Sequence, residues 1–204
     1  MSTQITVRLA VVYHSGYGHT ERFARAVAQG AEAAGADVLL VSVGQVDRHW
    51  QDLESVDAII FGCPTYMGSA SAPFKQFMDD SSRHAFLAQK WQHKVAAGFT
   101  NAASRSGDKL HTLQQLAIFA AQHGMHWVNL GLQSGHNLST TTEDSLNRHG
   151  FFIGAAAQSD ADQPADITAT PADLATCAHL GGRVALVASQ LAHGRAALAA
   201  SDGN

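Results

Sequence analysis

Short apolar runs alternate with helix-length segments along most of the chain, and this alternation restricts the possible folds more than any other feature. Several of the runs are apolar at nearly every position, which is typical of parallel strands covered on both faces. We predict strands over residues 7–13, 38–43, 57–62, 94–100 and 127–130. These strand–helix units, with no internal repeat and no domain break, favour an α/β fold. We expect a doubly wound, five-stranded parallel sheet with helices on both faces.

The intervening segments supply the helices. Apolar residues at helical spacing predict helices over residues 20–34, 45–53, 72–79 and 108–122. Thr170 followed by Pro171 predicts the start of a long final helix, because a hydroxyl cap and a proline suit the first turn. We therefore predict one domain over residues 1–194 and a short frayed tail over 195–204. Residues 132–170 show little periodicity, so we expect them to be functional or to contact a neighbouring subunit.

Composition excludes several classes of partner. The formal net charge is −4 and only 15% of the residues are charged, whereas an average soluble domain has roughly 25%. Such a chain lacks the basic surface that nucleic acid or an anionic membrane requires. The low charge also suggests that another subunit covers part of the surface.

The cysteines and histidines restrict the chemistry further. Cys63 and Cys177 are too few for a disulfide framework and fit reduced thiols. We expect Cys63 to be a small buried residue rather than a nucleophile, since no base is evident beside it. The 12 histidines lack the spacing of a metal site, so we expect no metal. With neither a leader nor an apolar run of about 20 residues, we expect a cytoplasmic protein.

A polar, glycine-bearing loop follows the first predicted strand. Its sequence at residues 15–20, Ser-Gly-Tyr-Gly-His-Thr, places two hydroxyls beside the free amides of a helix N-terminus, which can bind a phosphate without a lysine. It is not a Walker loop, because no Gly-Lys-Ser/Thr follows, and it lacks the third glycine of the dinucleotide fingerprint. Taken alone, the loop is also compatible with a turn that merely joins a strand to a helix.

Two further loops follow the third and fourth predicted strands. In the loop at residues 62–69, Tyr66 and Met67 suit contact with a flat heteroaromatic ring, although loop packing is the alternative. Thr65 and backbone amides of the same loop can address the polar edge of such a ring. The loop at residues 100–107 is small and polar and can contact the other side of the ring. Ligands of doubly wound sheets bind beyond the carboxyl ends of the strands, where these loops are expected.

Together these segments resemble the flavodoxin-like FMN proteins, and among them the WrbA-type NAD(P)H:quinone oxidoreductases. The resemblance rests on the loop at 15–20, on Asp-Ala-Ile-Ile-Phe-Gly-Cys-Pro-Thr-Tyr-Met-Gly at 57–68, on Ala-Pro-Phe-Lys-Gln-Phe-Met-Asp at 72–79 and on His-Gly-Met at 123–125. It implies a flavodoxin-like sheet of strand order 2-1-3-4-5 and FMN as the cofactor. It also implies NADH or NADPH as the electron donor and a homodimer or homotetramer as the assembly.

The resemblance also implies which residues bind FMN. The phosphate would be held by Ser15, Gly16, Tyr17, Gly18, His19 and Thr20. The isoalloxazine would be lined by Pro64, Thr65, Tyr66, Met67 and Gly68, and the third loop would close over it with Thr100, Asn101, Ala102, Ser104 and Gly107. Family members usually carry an arginine and an aromatic residue where this chain has Tyr66 and Met67, and a third loop richer in glycine and threonine. Both departures affect the ring rather than the phosphate.

His123 matches a family histidine that lies near the flavin and the substrate and is often reached from a neighbouring subunit. The resemblance therefore implies that His123 is catalytic and donates a hydrogen bond or a proton to a quinone oxygen. The alternative is a histidine that the helix dipole favours at a helix C-terminus.

From this resemblance we hypothesise an FMN-dependent oxidoreductase that works at a single site. A nicotinamide delivers a hydride to the flavin and leaves, and a quinone then takes two electrons at the same position. One alternative is a flavodoxin-type carrier that passes single electrons between proteins, although such carriers need a strongly charged face for steering. Another is a flavin-free interaction protein that reuses the fold.

Overall fold

The computed structural model describes residues 5–202 of the chain. The strands are β1 (Arg8–Tyr13), β2 (Asp37–Ser42), β3 (Ala58–Tyr66), β4 (Ser69–Ala70), β5 (Val95–Ala102), β6 (His126–Trp127) and β7 (Ala155–Gln158). The helices are α1 (His19–Ala33), α2 (Trp50–Ser55), α3 (Ala72–Ser81), α4 (Lys109–Gln122), α5 (Ala165–Thr168) and α6 (Pro171–Asp202). A 3₁₀ turn over Val43–Arg48 precedes α2, and a π-helical turn over Ser82–Phe86 follows α3.

The central sheet is parallel and runs in the order β2-β1-β3-β5-β6. Because β4 is only an antiparallel hairpin arm on β3, β5 occupies the fourth position of the predicted sheet. The predicted strand order 2-1-3-4-5 is therefore confirmed, with β4 and β7 as additional strands. Parallel pairing leaves the carboxyl ends of β1, β3 and β5 together at one edge.

The fifth position of the sheet differs from the prediction of a single strand over 127–130. Instead, β6 pairs with the start of β5 and β7 pairs with its end. Val128 N still donates to Ala96 O, but Leu130 N donates to Phe152 O (2.9 Å), so the backbone leaves the sheet. Residues 128–154 form an excursion that returns as β7, which lies inside the segment 132–170 whose sequence shows little periodicity.

The last helix is longer than predicted. α6 continues to Asp202, so residues 195–202 are helical and not a frayed tail; residues 203–204 lie outside the described part of the chain. Alanine and leucine dominate residues 196–200, and both have high helix propensity. Arg195 also connects this part of the helix to the segment just before β5, because its Nη1 donates to His93 O (3.3 Å).

The sheet separates two hydrophobic cores, which confirms the predicted helices on both faces. Leu9 and Val11 of β1 point to the face covered by α1 and α6. Ala10 and Val12 point to the face covered by α2, α3 and α4. This alternation follows from the two-residue period of a strand. Within residues 5–202, no helix combines the length and the apolar character needed to cross a membrane.

Candidate functional site

A cleft opens at the carboxyl edge of the sheet, where the loops after β1, β3 and β5 meet. Its cavity volume is about 220 Å³, and its mouth is open to solvent. The lining residues are Ser15, Gly16, Tyr17, His19, Thr20, Pro64, Thr65, Tyr66, Asn101, Ala102, Ala103, Ser159 and Ala161. Most of the predicted cofactor residues therefore share one cleft.

The loop between β1 and α1 presents unpaired donors to the cleft. The Ser15 Oγ is buried and has no hydrogen-bond partner among the described residues. α1 follows Gly18, whose φ of +87° suits glycine, and no side chain caps the helix. An uncapped N-terminus leaves backbone N–H groups free at the positive end of the helix dipole. Together, these features can bind an anionic oxygen group.

Tyr17 and Tyr66 stand at the mouth of the cleft, with 80% and 41% of their surface exposed. Burial of part of its ring, together with the neighbouring Tyr17, raises the pKa of Tyr66, so the Tyr66 phenol keeps its proton near pH 7. Tyr66 ends β3 and pairs with Ser69 of β4. The turn between them consists of Met67 and Gly68, with φ of +48° and +81°, as in a type I′ hairpin. The hairpin holds Tyr66 at the cleft but turns Met67 outward.

Three threonine hydroxyls form a cluster beneath the cleft. Thr65 Oγ1 lies 2.9 Å from Thr100 Oγ1 and donates to Thr112 Oγ1 (2.8 Å). Thr100 Oγ1 donates in turn to Cys63 O (2.6 Å). The Thr100 hydroxyl is therefore used inside the protein, and only Thr65 of this cluster lines the cleft. Cys63 itself is buried, which raises the pKa of its thiol to about 12 and confirms it as a small buried residue.

The segment after β7 forms a further wall of the cleft. It lies within residues 132–170, which the sequence predicts to be functional or to contact a neighbouring subunit, but the sequence assigns none of these residues to the cofactor site. We call residues 159–168 the strap. Ser159 and Ala161 line the cleft, and His19 Nε2 donates to the backbone oxygen of Gln163 (2.9 Å). The signal that could have found it is the small apolar run at residues 154–157, which is compatible with a short buried strand that ends at the same sheet edge.

A buried ion pair fixes the excursion that carries β7 and the strap. Arg148 Nε and Nη2 donate to the two carboxylate oxygens of Asp173 (2.7 and 2.9 Å), and Gln158 N donates to the same carboxylate (2.9 Å). Burial alone would raise the pKa of Asp173, but the hydrogen bonds from Arg148 and His149 hold it well below its usual range. The start of α6 thus anchors β7 directly.

Some predicted cofactor residues do not line the cleft, namely Gly18, Met67, Gly68, Thr100, Ser104 and Gly107. Gly18 and Gly68 shape turns through their positive φ values, so they act through the backbone. Met67 and Ser104 are exposed on their loops. Gly107 lies against Ala102, where an added Cβ would come within 2.7 Å of the alanine Cβ.

His123 lies far from the cleft of its own chain. It follows α4, which begins after the third loop and has 14 residues, so it lies about 20 Å from that loop at a rise of about 1.5 Å per residue. The residue is 6% exposed, and its ring centre lies 4.5 Å from Trp91 and 4.9 Å from Phe119. Burial lowers its pKa to about 4. The structure therefore does not bring His123 together with the other predicted site residues.

Known proteins resemble both the sequence and the structure. The flavodoxin family model matches residues 11–113. Flavodoxin FldP of Pseudomonas aeruginosa is 44% identical over 90% of this chain and 98% of its own. An NAD(P)H dehydrogenase (quinone) of Archaeoglobus fulgidus is 31% identical over 90% of this chain and 98% of its own. The crystal structure of a WrbA-like flavodoxin from Agrobacterium tumefaciens aligns with a TM-score of 0.71 and 42% identity, over 91% of this chain and 99% of that one.

The chain belongs to the flavodoxin family, which implies FMN as the cofactor. The residues present fit such a group. The uncapped start of α1 and the unpaired Ser15 Oγ supply donors for a phosphate, and the neutral, partly aromatic remainder of the cleft suits a flavin ring.

Proposed function

We propose that this protein is an FMN-dependent oxidoreductase that takes electrons from NADH or NADPH and delivers them to a quinone-type acceptor. The observation that carries the proposal is the chemistry of the cleft. Across the described residues its lining contains no Asp, Glu, Lys or Arg, and exposed tyrosine rings flank its mouth. A neutral aromatic entrance suits a flat, uncharged acceptor better than a charged protein partner.

FMN, when bound, supplies the redox chemistry: it accepts a hydride and gives up electrons. The chain's own residues bind FMN and orient the molecules that react with it. The amides at the start of α1 and Ser15 would hold the phosphate, while Tyr66, which the β3–β4 hairpin holds at the cleft, would contact the flavin ring. Tyr17 and Tyr66 offer flat surfaces for a nicotinamide or a quinone. Because its raised pKa keeps the Tyr66 phenol protonated near pH 7, Tyr66 adds no charge at the entrance.

The names of relatives support an enzyme without fixing its substrates. Proteins named NAD(P)H dehydrogenase (quinone) from Archaeoglobus fulgidus and Azorhizobium caulinodans are each 31% identical to this chain. We propose the same class of activity here, in the cytoplasm, where the buried Cys63 and Cys177 thiols stay reduced.

His123 enters this proposal only through an assembly. Its position after α4 keeps it from the cleft of its own chain, so a catalytic role requires a second subunit that brings its His123 to the first subunit's cleft. We propose a homodimer or homotetramer for this reason. A monomer in solution that still reduces quinones at the full rate would remove His123 from the mechanism.

A second candidate function is a single-electron carrier between proteins. It is favoured by the 44% identity to a relative named flavodoxin FldP. The small number of charged residues, 15% of the chain, speaks against it, because carriers rely on charged faces to steer their partners.

An anaerobic titration of FMN-loaded protein separates the two functions. We expect NADH or NADPH to bleach the oxidised-flavin absorbance directly and an added quinone to restore it. If neither nucleotide bleaches the flavin, while dithionite reduces it in two resolved one-electron stages, the oxidoreductase proposal is wrong and the carrier takes its place.

A variant of the entrance tests the role of Tyr66. Loss of an aromatic contact costs about 0.5–1.5 kcal/mol, so we expect Tyr66→Ala in the FMN-loaded protein to raise the KM for a quinone roughly 3- to 10-fold. Phe152→Ala is the matched control, since Phe152 is a similarly exposed ring (59%) that does not line the cleft. Equal KM values for both variants would contradict the role of Tyr66.

A further inference from the structure

Three buried polar side chains form a chain from α1 to the strap across the end of β5. Thr20, Asn101 and Ser159 are only 1%, 4% and 2% exposed, and all three line the cleft. Thr20 Oγ1 lies 2.6 Å from Asn101 Oδ1, and Asn101 Nδ2 lies 2.8 Å from Ser159 Oγ. The loop that is predicted to hold the phosphate is thus hydrogen-bonded to a segment that neither the family motifs nor the sequence pattern assigns to the site.

The chemistry of the amide sets the direction of each hydrogen bond. An amide oxygen only accepts and an amide nitrogen only donates. Thr20 therefore donates its proton to Asn101, and the Ser159 oxygen accepts from Asn101. The proton on the Ser159 hydroxyl is left without an acceptor among the described residues. A hydroxyl this deeply buried normally donates to a partner.

The backbone holds this free donor at a fixed place in the cleft wall. Ser159 N donates to Ala102 O (3.2 Å), which extends the pairing of β7 with β5 by one residue. Ser15 Oγ is the other buried hydroxyl of the lining whose proton has no acceptor among the described residues. Two buried hydroxyls with free protons therefore reach one cleft from two separate segments of the chain, the loop after β1 and the strap.

We propose that Ser159 is a cofactor-binding residue whose free hydroxyl proton is donated to an oxygen of the phosphoribityl part of FMN. This part is the partner because the chain of hydrogen bonds starts at Thr20 in the phosphate loop, whereas the ring-lining hairpin makes no hydrogen bond to it. Asn101 is the positioning residue that keeps the Ser159 proton available. The proposal rests on FMN binding and not on the identity of the electron donor or acceptor.

Titration of the apoprotein with FMN, followed by quenching of flavin fluorescence, measures the effect of Ser159 without any turnover. Loss of one hydrogen bond to a phosphate or hydroxyl oxygen predicts that Ser159→Ala weakens the FMN Kd roughly tenfold. Thr168→Ala is the matched control: Thr168 is a buried hydroxyl of the same strap that bonds to Asp160 N and does not line the cleft. Equal weakening by both variants would show that strap order alone matters, and would overturn the proposal.

The same titration with riboflavin and lumiflavin locates the acceptor. If Ser159 donates to the phosphate, Ser159→Ala weakens FMN but not riboflavin; if it donates to the ribityl chain, both weaken and lumiflavin does not. An equal loss of affinity for all three flavins would place the effect of Ser159→Ala at the ring and would overturn the proposal. Wild-type protein that binds no FMN would overturn the cofactor assignment itself, whereas tight wild-type binding with an unchanged Ser159→Ala Kd overturns only the role of Ser159.

Asn101→Asp tests the direction of the hydrogen bonds. A carboxylate in place of the amide accepts the Ser159 proton, so that proton is no longer available to the cofactor. We therefore expect Ser159→Ala to weaken FMN binding roughly tenfold in the Asn101 protein and by less than about twofold in the Asn101→Asp protein. The charge that Asn101→Asp adds is present both with and without Ser159→Ala, so it cancels from the ratio of these two Kd values. The same fold-change in both backgrounds would overturn the assigned direction.

Discussion

The two faces of the sheet are filled in different ways. The face covered by α1 and α6, which we call the small-residue face, brings two helices into backbone contact: a Cβ on Gly30 would lie 1.9 Å from Ala178 O, and one on Gly181 would lie 1.9 Å from Val27 O. The face covered by α3 and α4, which we call the aromatic face, is filled by rings centred on Phe61, whose centroid lies 5.2 Å from that of Phe119.

The difference shows how the cleft is held. On the small-residue face the position of α1, and hence of the loop after β1, is fixed by helix backbones that have no room to shift. On the aromatic face, large side chains fill the space between the helices and the sheet. The small-residue face therefore tolerates no added atom, whereas the aromatic face depends on the volume of its buried side chains. The cleft lies at the end of the sheet that separates these two faces.

The largest expected effect is a cavity in the aromatic face. Phe61 is completely buried and has ring contacts with Phe74, Phe77, Trp91 and Phe119. We expect Phe61→Ala to lower the free energy of unfolding by about 3–5 kcal/mol, measured by urea denaturation. Phe152→Ala, at an exposed ring, should change it by less than about 0.5 kcal/mol. A loss below about 1 kcal/mol at Phe61 would mean that the face collapses to fill the gap.

An added methyl group should damage the small-residue face instead. In Gly181→Ala the new Cβ overlaps the backbone oxygen of Val27 in α1, and backbone cannot rotate away. Overpacking of this kind costs about 1–3 kcal/mol, more than the helix propensity that alanine adds. We expect a lower urea midpoint with an unchanged m-value. A gain in stability would show that α1 and α6 have room to separate.

Local chemistry explains which parts of the site the sequence could predict. The loop at residues 15–20 is a continuous stretch whose glycines and hydroxyls determine its local geometry. Its residues Ser15, Gly16, Tyr17, His19 and Thr20 all line the cleft. Strand order was accessible through the resemblance of motifs spread along the chain. Each of these inferences depends on neighbours in sequence.

The parts that could not be predicted depend on contacts between distant segments. Thr100 and Asn101 are adjacent in β5 and point to opposite faces, and nothing local says which of them lines the cleft. Ser159 is brought there by β7, after an excursion fixed by the Arg148–Asp173 pair across the fold. The resemblance implies a catalytic role for His123, but within a single chain this residue lies about 20 Å from the third loop, at the far end of α4.

The aromatic face contains one titratable group that should make stability depend on pH. Ser81 Oγ donates to Met78 O (2.7 Å), so His123 Nε2 donates to Ser81 Oγ (2.9 Å). His123 Nδ1 is then a buried acceptor without a partner among the described residues. Protonation there is unfavourable among the rings, which is why burial lowers the pKa to about 4.

The sign of the effect follows from the two states. The unfolded chain takes up a proton on this histidine near its ordinary pKa of about 6.5, whereas the folded protein does so only near 4. The contribution of His123 to the free energy of unfolding is therefore fully present above about pH 6.5 and is lost as the pH falls to about 4. Allowing for partial solvent screening, we expect a loss of about 1–2 kcal/mol. His123→Gln should remove this slope between pH 6.5 and 4.5, and parallel curves for both proteins would contradict the assignment.

The smallest effect lies outside both faces and separates packing from helix propensity. Gly194 is inside α6, and an added Cβ would meet nothing within 4 Å. Without the overlap that opposes Gly181→Ala, Gly194→Ala should raise the free energy of unfolding by about 0.5–1 kcal/mol, because glycine is a poor helix former. The gain requires that residues 195–202 stay helical in solution. An unchanged urea midpoint would mean that α6 frays at residue 194. Changes of opposite sign in the free energy of unfolding for Gly181→Ala and Gly194→Ala would confirm that only contact with α1 makes Gly181 necessary.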